Sequence, residues 1–283
     1  MKTLNYKEKP LFTSKDSVVK KSKENNFRYQ ELYSYLNQFK NKEKHVLVSI
    51  ILPAYNEEIS IRQILENLPI DESIEIIVID DNSTDNSVRE IEIVKKKKQI
   101  QLLKHKKNIG YGGAVITGII HAKGDVIVTM DTDGQHNPLD MLSLIKPVFE
   151  EKAELTISSR YLGKNYYKLP LKTRLGEAII EKFLTVFFGK RIMNNQNGFR
   201  AFNNVLAPIF KKAKNQGFAF ATETIILTLI EGYRIIECPG NVYDRKYGDS
   251  KIKTLNLLLD LLFCFLRYSI LKVLHIFIMR IKR

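Results

Sequence analysis

Short apolar runs alternate with helix-patterned segments through the middle of the chain, and this alternation restricts the fold more than any other feature. "HVLVSIILP" (45–53), "SIEIIVID" (73–80), "IQLLKH" (100–105), "DVIVTMD" (125–131) and "AELTISSR" (153–160) are the runs. Their length and β-branched content read as buried strands. Between them, "EISIRQILENL", "NSTDNSVREIEIVKKK", "GYGGAVITGIIHAKG" and "PLDMLSLIKPVFEE" carry helical spacing, the second opening on capping residues. Strands alternating with helices imply an α/β fold, a mostly parallel sheet flanked by helices on both faces.

In such a sheet, ligands bind at the C-terminal ends of the strands. The polar clusters fall there: "PAYNEE" after the first strand, "DDNSTD" after the second, "DTDGQH" after the fourth and "SSRY" after the fifth. Asp131 and Asp133, one residue apart, repel unless something positive lies between them. Alone, the stretch reads equally as a divalent-cation site or a solvated turn. Several polar clusters at one sheet edge favour the site. An EF-hand is a poor rival, because Leu142 stands where its bidentate Glu belongs.

The 283 residues carry a net charge of +14, which points to an anionic partner: nucleic acid, anionic lipid or a phosphorylated substrate. The absence of a known nucleic-acid motif argues against the first. Two cysteines, Cys238 and Cys264, make no disulfide framework and suit a reducing compartment. The opening "MKTLNYKEKPLFTSKDS" lacks the apolar core of a signal peptide. Residues 1–45 read as a polar, Lys-rich extension with one helix, "FRYQELYSYLNQFKN", either a solvated arm or a packing helix. No Walker A loop is present, and "GYGGAVITG" has Val115 where a dinucleotide fingerprint needs its third glycine. Close helix–sheet packing accounts for those glycines. Acidic strand ends with a cation suit a nucleoside diphosphate.

Taken in order, "VSIILPAYNEE", "IIVIDDNSTDNS", "KNIGYGGA", "MDTDGQHNP", "SSRY", "NGFRAF" and "YDRKYGDSKI" resemble the motifs of family 2 glycosyltransferases of the GT-A (Rossmann-like) fold. They are most similar to the branch of dolichyl-phosphate mannose synthases and related polyprenyl-phosphate glycosyltransferases, over roughly residues 46–255. The resemblance implies a GT-A domain at 46–252 and metal-dependent, inverting transfer of a sugar to a polyprenyl or dolichyl phosphate. The donor would be a nucleotide-sugar: GDP-mannose, UDP-glucose or UDP-N-acetylglucosamine. It implies that Pro53, Tyr55, Glu57, Ile79, Asp81, Asp131, Thr132, Asp133, Arg245 and Lys251 bind the nucleotide-sugar. Asp81 would contact the base, with Asp80 in support. Asp133 and Gln135, with Asp131 nearby, would hold Mg²⁺ or Mn²⁺. Arg160, Arg174, Arg245 and Lys251 would face donor or acceptor phosphates, and Asp133, Arg160 and Arg174 would carry the chemistry. An Arg fork suits phosphate geometry; for Arg174 the competing reading is a surface salt bridge. Thr132 and Gly134 depart from the D-A-D-L-Q-H loop of the mannose enzymes, and "NNQNGFR" offers Asn194 and Asn195 where relatives often carry Asp.

A lipid phosphate is already an anionic nucleophile and needs no general base. The alternative, transfer to a sugar hydroxyl, needs one, and Glu223 in "FATETI" is the candidate, against the reading of an ordinary helix-surface Glu. His136 reads as a residue that orders the two aspartates by hydrogen bonding. From Leu255 onward the chain is apolar but interrupted by Asp260, Arg267, Lys272 and His275. Lys253, Asn256, Asp260 and Arg267 fall within roughly 40° of one line on a helical wheel. Residues 253–283 therefore read as an amphipathic interfacial helix on an anionic membrane, at its cytoplasmic face and without spanning it. A helix packed on the catalytic domain is the rival reading.

Overall fold

The computed structural model describes residues 29–40, 45–164, 169–243 and 254–281, with the side chains of the last segment described to residue 272. Arg245, Lys251 and Lys253 lie outside these residues. Seven strands form one sheet in the order β3-β2-β1-β4-β6-β5-β7. They are β1 (Val48–Ala54), β2 (Ile74–Asp80), β3 (Gln101–Lys104), β4 (Val126–Thr129), β5 (Leu155–Ser159), β6 (Arg200–Asn203) and β7 (Ile235–Pro239). β1 pairs in parallel with both β2 and β4, and β2 with β3. The expected mostly parallel α/β sheet is present. Two strands were not legible in the sequence. β6 lies antiparallel between β4 and β5, and β7 runs parallel to β5 at the sheet edge.

Helix α1 covers residues 29–37. It is followed by α2 (Ile61–Glu66), α3 (Ser87–Lys95), α4 (Tyr111–His121), α5 (Met141–Phe149), α6 (Leu171–Phe188), α7 (Ala207–Phe210), α8 (Phe220–Ile230) and α9 (Thr254–Ile281). β1 is buried on both faces, which is why it reads as an unbroken apolar run. One core covers the face carrying α1, α2, α3 and α5, with Leu36, Ile61, Leu65, Ile91 and Leu144 at its centre. The other covers the face carrying α4, α6, α8 and α9, with Val115, Ile180, Leu184, Ile225 and Leu261.

The N-terminal helix packs. Tyr29, Leu32 and Leu36 are buried in the first core, and burying two leucines contributes roughly 3–6 kcal/mol. The C-terminal helix also packs, but by one face. Leu261, Cys264 and Tyr268 are buried in the second core, and Phe265 stacks on Phe183 of α6 with ring centroids 3.7 Å apart. Leu255, Leu258, Leu262, Leu266 and Ile270 remain exposed. On a helical wheel these lie within a broad arc about 150° from the docked side. Asp260 and Arg267 lie between the two faces. Among the described residues no helix is long and apolar enough to cross a membrane.

β1 is the topological switch point: its chain neighbours diverge to β2 on one side and β4 on the other. A crevice opens at the C-terminal ends of such strands. The clusters after β1, β2 and β4 therefore meet.

Candidate active site

The loops after β1 and β2 are laced together. Asn56 and Asn82 adopt left-handed backbone (φ 53° and 63°), which turns each chain sharply at its strand end. The Asn56 amide donates to Ser83 Oγ (2.9 Å), the Thr84 amide to Asn56 Oδ1 (2.7 Å) and the Glu57 amide to Ser87 Oγ (2.7 Å). Thr132 connects the β4 loop to the same edge. Its hydroxyl donates to the Pro53 carbonyl (2.9 Å), and Ser60 Oγ donates to the Thr132 carbonyl (2.6 Å). Pro53, Tyr55, Glu57 and Thr132 are thus brought to one edge. Ile79 stands there by position, but its side chain is fully buried in the core.

Asp81 is buried and accepts three donors: the Ile109 amide (2.9 Å), the Gly110 amide (2.8 Å) and His105 Nδ1 (2.7 Å). An ionised carboxylate has about four lone-pair sites, so one further donor, such as a base N–H, can be accommodated. Among the described residues Asp80 accepts the Ser83 amide, at 3.3 Å.

Asp131 and Asp133 stand at the end of β4. The Asp131 carboxylate is partly exposed. Asp133 Oδ1 accepts the Gln135 amide (3.0 Å). Gln135 is stapled to the segment after β7: its Nε2 donates to the Tyr243 carbonyl (3.2 Å), and the Tyr243 amide donates to the Gln135 carbonyl (3.0 Å). That leaves the Gln135 side-chain oxygen as the donor atom suited to a cation. His136 does not order the aspartates by hydrogen bonding. Its Nε2 lies 3.7 Å from Asp131, beyond hydrogen-bond range, and its ring packs on Phe199 with centroids 5.3 Å apart. Among the described residues no three His, Cys, Asp or Glu side chains form a metal cage. Two hard carboxylates and an amide oxygen on one loop instead suit Mg²⁺ or Mn²⁺ that completes its shell with substrate phosphate and water.

Beneath Asp131 lies Arg200, 5% exposed. Its guanidinium donates to the carbonyls of Asn197 (2.6 Å), Ala221 (2.6 Å) and Asn195 (2.9 Å) and to Thr224 Oγ1 (2.9 Å). Burial pulls its pKa down to about 10, opposed by the neighbouring Tyr111 and Asp131. Burial, with the nearby Asp131 charge, pushes the Tyr111 phenol well above its usual range, so it stays protonated. Neither residue was singled out in the sequence.

The second half of the site follows β5. Arg160 Nε donates to Asn194 Oδ1 (3.1 Å), and Nη2 lies 3.8 Å from Glu177 Oε1. Glu177 is buried, accepts the Tyr161 hydroxyl, and is pushed upward in pKa by desolvation, against the pull of Arg160. Arg174 stacks over the Tyr161 ring at 4.5 Å. Its nearest carboxylate, Glu181, is 3.9 Å away, a long contact for a surface salt bridge. Asn194 and Asn195 are fully buried and join main chain: Asn194 Nδ2 donates to the Ser158 carbonyl (2.9 Å) and Asn195 Nδ2 to the Glu177 carbonyl (3.0 Å). The two arginines are thus presented by one buried framework.

Glu223 is not a surface residue. It is fully buried and accepts the amides of Lys214 (2.9 Å) and Asn215 (2.7 Å), Asn215 Nδ2 (2.8 Å) and the Tyr268 hydroxyl (2.6 Å). Its carboxylate joins α8, α9 and the loop between α7 and α8.

Comparison with known proteins agrees with this arrangement. The family model "Glycosyl transferase family 2" matches residues 49–207. An uncharacterized protein of Methanocaldococcus jannaschii is 33% identical over 223 residues, 77% of this chain and 88% of that protein. UDP-N-acetylglucosamine–dolichyl-phosphate N-acetylglucosaminyltransferase of Methanococcus voltae is 29% identical, over 71% of this chain and 88% of its own. Undecaprenyl-phosphate 4-deoxy-4-formamido-L-arabinose transferase of Proteus mirabilis is 27% identical, over 78% of this chain and 68% of its own. Among solved structures, glucosyl-3-phosphoglycerate synthase of Mycobacterium tuberculosis with Mg²⁺ and UDP has a TM-score of 0.61 at 19% identity, covering 79% of each chain. The fold is GT-A-like, and the chain belongs to glycosyl transferase family 2 and is a glycosyltransferase.

Proposed function

We propose that this enzyme transfers a sugar from a nucleotide-sugar to a polyprenyl phosphate at a membrane surface, with inversion and with a divalent cation. The observation that carries this reading is the pairing, on one sheet edge, of an acidic donor side with a cationic acceptor side. Asp131 and Asp133 end β4, while Arg160 and Arg174 follow β5.

Pro53, Tyr55, Glu57 and Asp81 form the nucleoside end. Tyr55 offers an aromatic surface, and Asp81 has acceptor capacity for a base N–H. Asp133 and Gln135, with Asp131, hold the cation. When bound, Mg²⁺ or Mn²⁺ neutralises charge on the leaving diphosphate. The structural neighbour holds Mn²⁺ with UDP in one crystal structure and Mg²⁺ with UDP in another, which supports this choice. Arg160 and Arg174 offset the repulsion between an incoming phosphate and the donor phosphates. Glu177 keeps Arg160 aimed, and the Tyr161 ring supports Arg174. Arg245 and Lys251, outside the described residues, are assigned to the same phosphates. The M. voltae and P. mirabilis relatives are named for lipid-phosphate acceptors, which supports that class here. The alternative of a hydroxyl acceptor loses its candidate base, because Glu223 already accepts four donors in the α8–α9 contact.

The membrane side of the reading rests on α6 and α9. Leu171, Leu175, Ile179 and Val186 are exposed along α6, on the side opposite its buried Ile180 and Leu184. They adjoin the exposed leucines of α9 through the Phe183–Phe265 stack. An anionic bilayer fits this apolar surface on a protein of net charge +14. Purified protein incubated with UDP- and GDP-sugars and polyprenyl phosphate tests the reading. Glycolipid formed with Mn²⁺ and lost in EDTA is expected. Sugar transfer that persists in EDTA, or no glycolipid from any donor, overturns it.

A further inference from the structure

His105 directly follows β3 and faces the carboxylate assigned to the nucleobase. Its amide donates to the Asp80 carbonyl (2.9 Å), which ties the residue to the end of β2. Its ring bridges two further elements. Nδ1 lies 2.7 Å from Asp81 Oδ1, and Nε2 lies 2.9 Å from Thr117 Oγ1 in α4. A contact that short to a carboxylate places a proton on Nδ1. Nε2 then has a partner in either charge state. With a neutral ring it accepts from the Thr117 hydroxyl. With a charged ring it donates, and the hydroxyl turns to the Gly113 carbonyl, 3.1 Å away. The ring therefore donates to Asp81 whether or not it carries charge.

That bond decides which acceptor positions Asp81 keeps. Oδ1 accepts both His105 Nδ1 (2.7 Å) and the Ile109 amide (2.9 Å), which fills its two lone pairs. Oδ2 accepts the Gly110 amide (2.8 Å) and keeps one lone pair open. The Asp81 side chain is 5% exposed, so a donor brought against it loses its water. Of the bases in the candidate donors, uracil offers a single N–H, between its two carbonyls. Guanine offers two side by side, on its ring and on its amino group, and a carboxylate meets both only when both oxygens are open. Against Asp81, one of the two guanine donors stays unpaired.

We propose that His105 is a specificity-determining residue for the nucleobase: by occupying Asp81 Oδ1 it leaves one open acceptor, on Oδ2, and so selects uracil over guanine. The assignment rests on the contact between Asp81 and the base given under Proposed function. A desolvated donor left unpaired weakens binding by about tenfold or more.

UDP and GDP are titrated calorimetrically, with saturating Mn²⁺, into wild type, His105→Leu and His105→Asn, and thermal unfolding is followed in parallel. The Asn amide nitrogen takes the place of Nδ1, whereas Leu fills the space without a donor. We expect wild type to bind UDP roughly tenfold or more tightly than GDP. The preference falls about tenfold in His105→Leu and is largely restored in His105→Asn. Equal or tighter binding of GDP by wild type overturns the selection while leaving the proposed function intact. An undiminished preference in His105→Leu assigns the selection to other groups and overturns the role of His105. Equal weakening of both nucleotides in both variants, with lower melting temperatures, makes His105 a structural residue and also overturns it. If wild type binds neither nucleotide, the nucleotide-sugar donor itself is contradicted, and the role of His105 falls with it.

Discussion

The two halves of the site are built differently. On the donor side, residues 53–60, 80–87 and 131–136 are short loops that leave adjacent parallel strands. Each is held by main-chain and side-chain bonds to its neighbour, such as Thr132 to Pro53 and Asn56 to Ser83. On the acceptor side, Arg160 follows β5, Arg174 is in α6, and their support comes from Asn194 and Glu177, far apart in sequence. Donor groups are fixed by local strand-end geometry, and acceptor groups by long-range burial. The first arrangement suits a small, rigid nucleotide that needs accurate placement. The second presents long cationic side chains beside an exposed apolar surface, which suits a phosphate carried on a lipid.

The comparison can be broken at its acidic end. Asp133→Ala should lower kcat/KM by two orders of magnitude or more in a glycolipid assay, because a major electrostatic contribution to the leaving group is lost. Near-wild-type turnover would remove the donor side's claim to the cation. At the apolar end, Leu175→Glu combined with Leu262→Glu should reduce sedimentation with anionic vesicles about tenfold, with the fold retained, since both residues are exposed. Undiminished vesicle binding would place the membrane contact elsewhere. The smallest effect is expected at the join. Tyr268→Phe leaves Glu223 with one donor fewer and should cost about 1 kcal/mol in urea unfolding. A cost near zero would mean that α9 is held by its apolar contacts alone.

The donor side was largely legible from sequence because each loop is contiguous with the strand that positions it. "PAYNEE", "DDNSTD" and "DTDGQH" each sit at a strand end and can be read as strings. The acceptor side was legible only as individual arginines. Nothing in "LGEAIIEKF" marks Glu177 as buried beside Arg160. β6 has four residues, and its "RAFN" is too short to carry a period. Glu223 did leave a signal: α8, "FATETIILTLI", is apolar nearly all round, and a helix of that kind lies in a core, acidic residue included. Tyr111 stood beside glycines, which marked a close approach, but Asp131, whose charge acts on it, is twenty residues later, past the end of β4. The C-terminal helix was read as membrane-facing, with docking on the catalytic domain as the rival. It packs on the catalytic domain by one face and leaves an apolar arc exposed, because its apolar surface is wider than the docked stripe.

The most direct measurement compares two acceptors that differ in a single group: polyprenyl phosphate and the matching polyprenol, each in identical anionic vesicles with Mn²⁺ and the preferred nucleotide-sugar. The anomeric configuration of the product is read by NMR. A site with paired arginines and with Glu223 buried in the α8–α9 contact predicts transfer to the phosphate alone, giving a glycosyl phosphodiester of inverted configuration. Comparable transfer to polyprenol, or retention of configuration, would contradict the account.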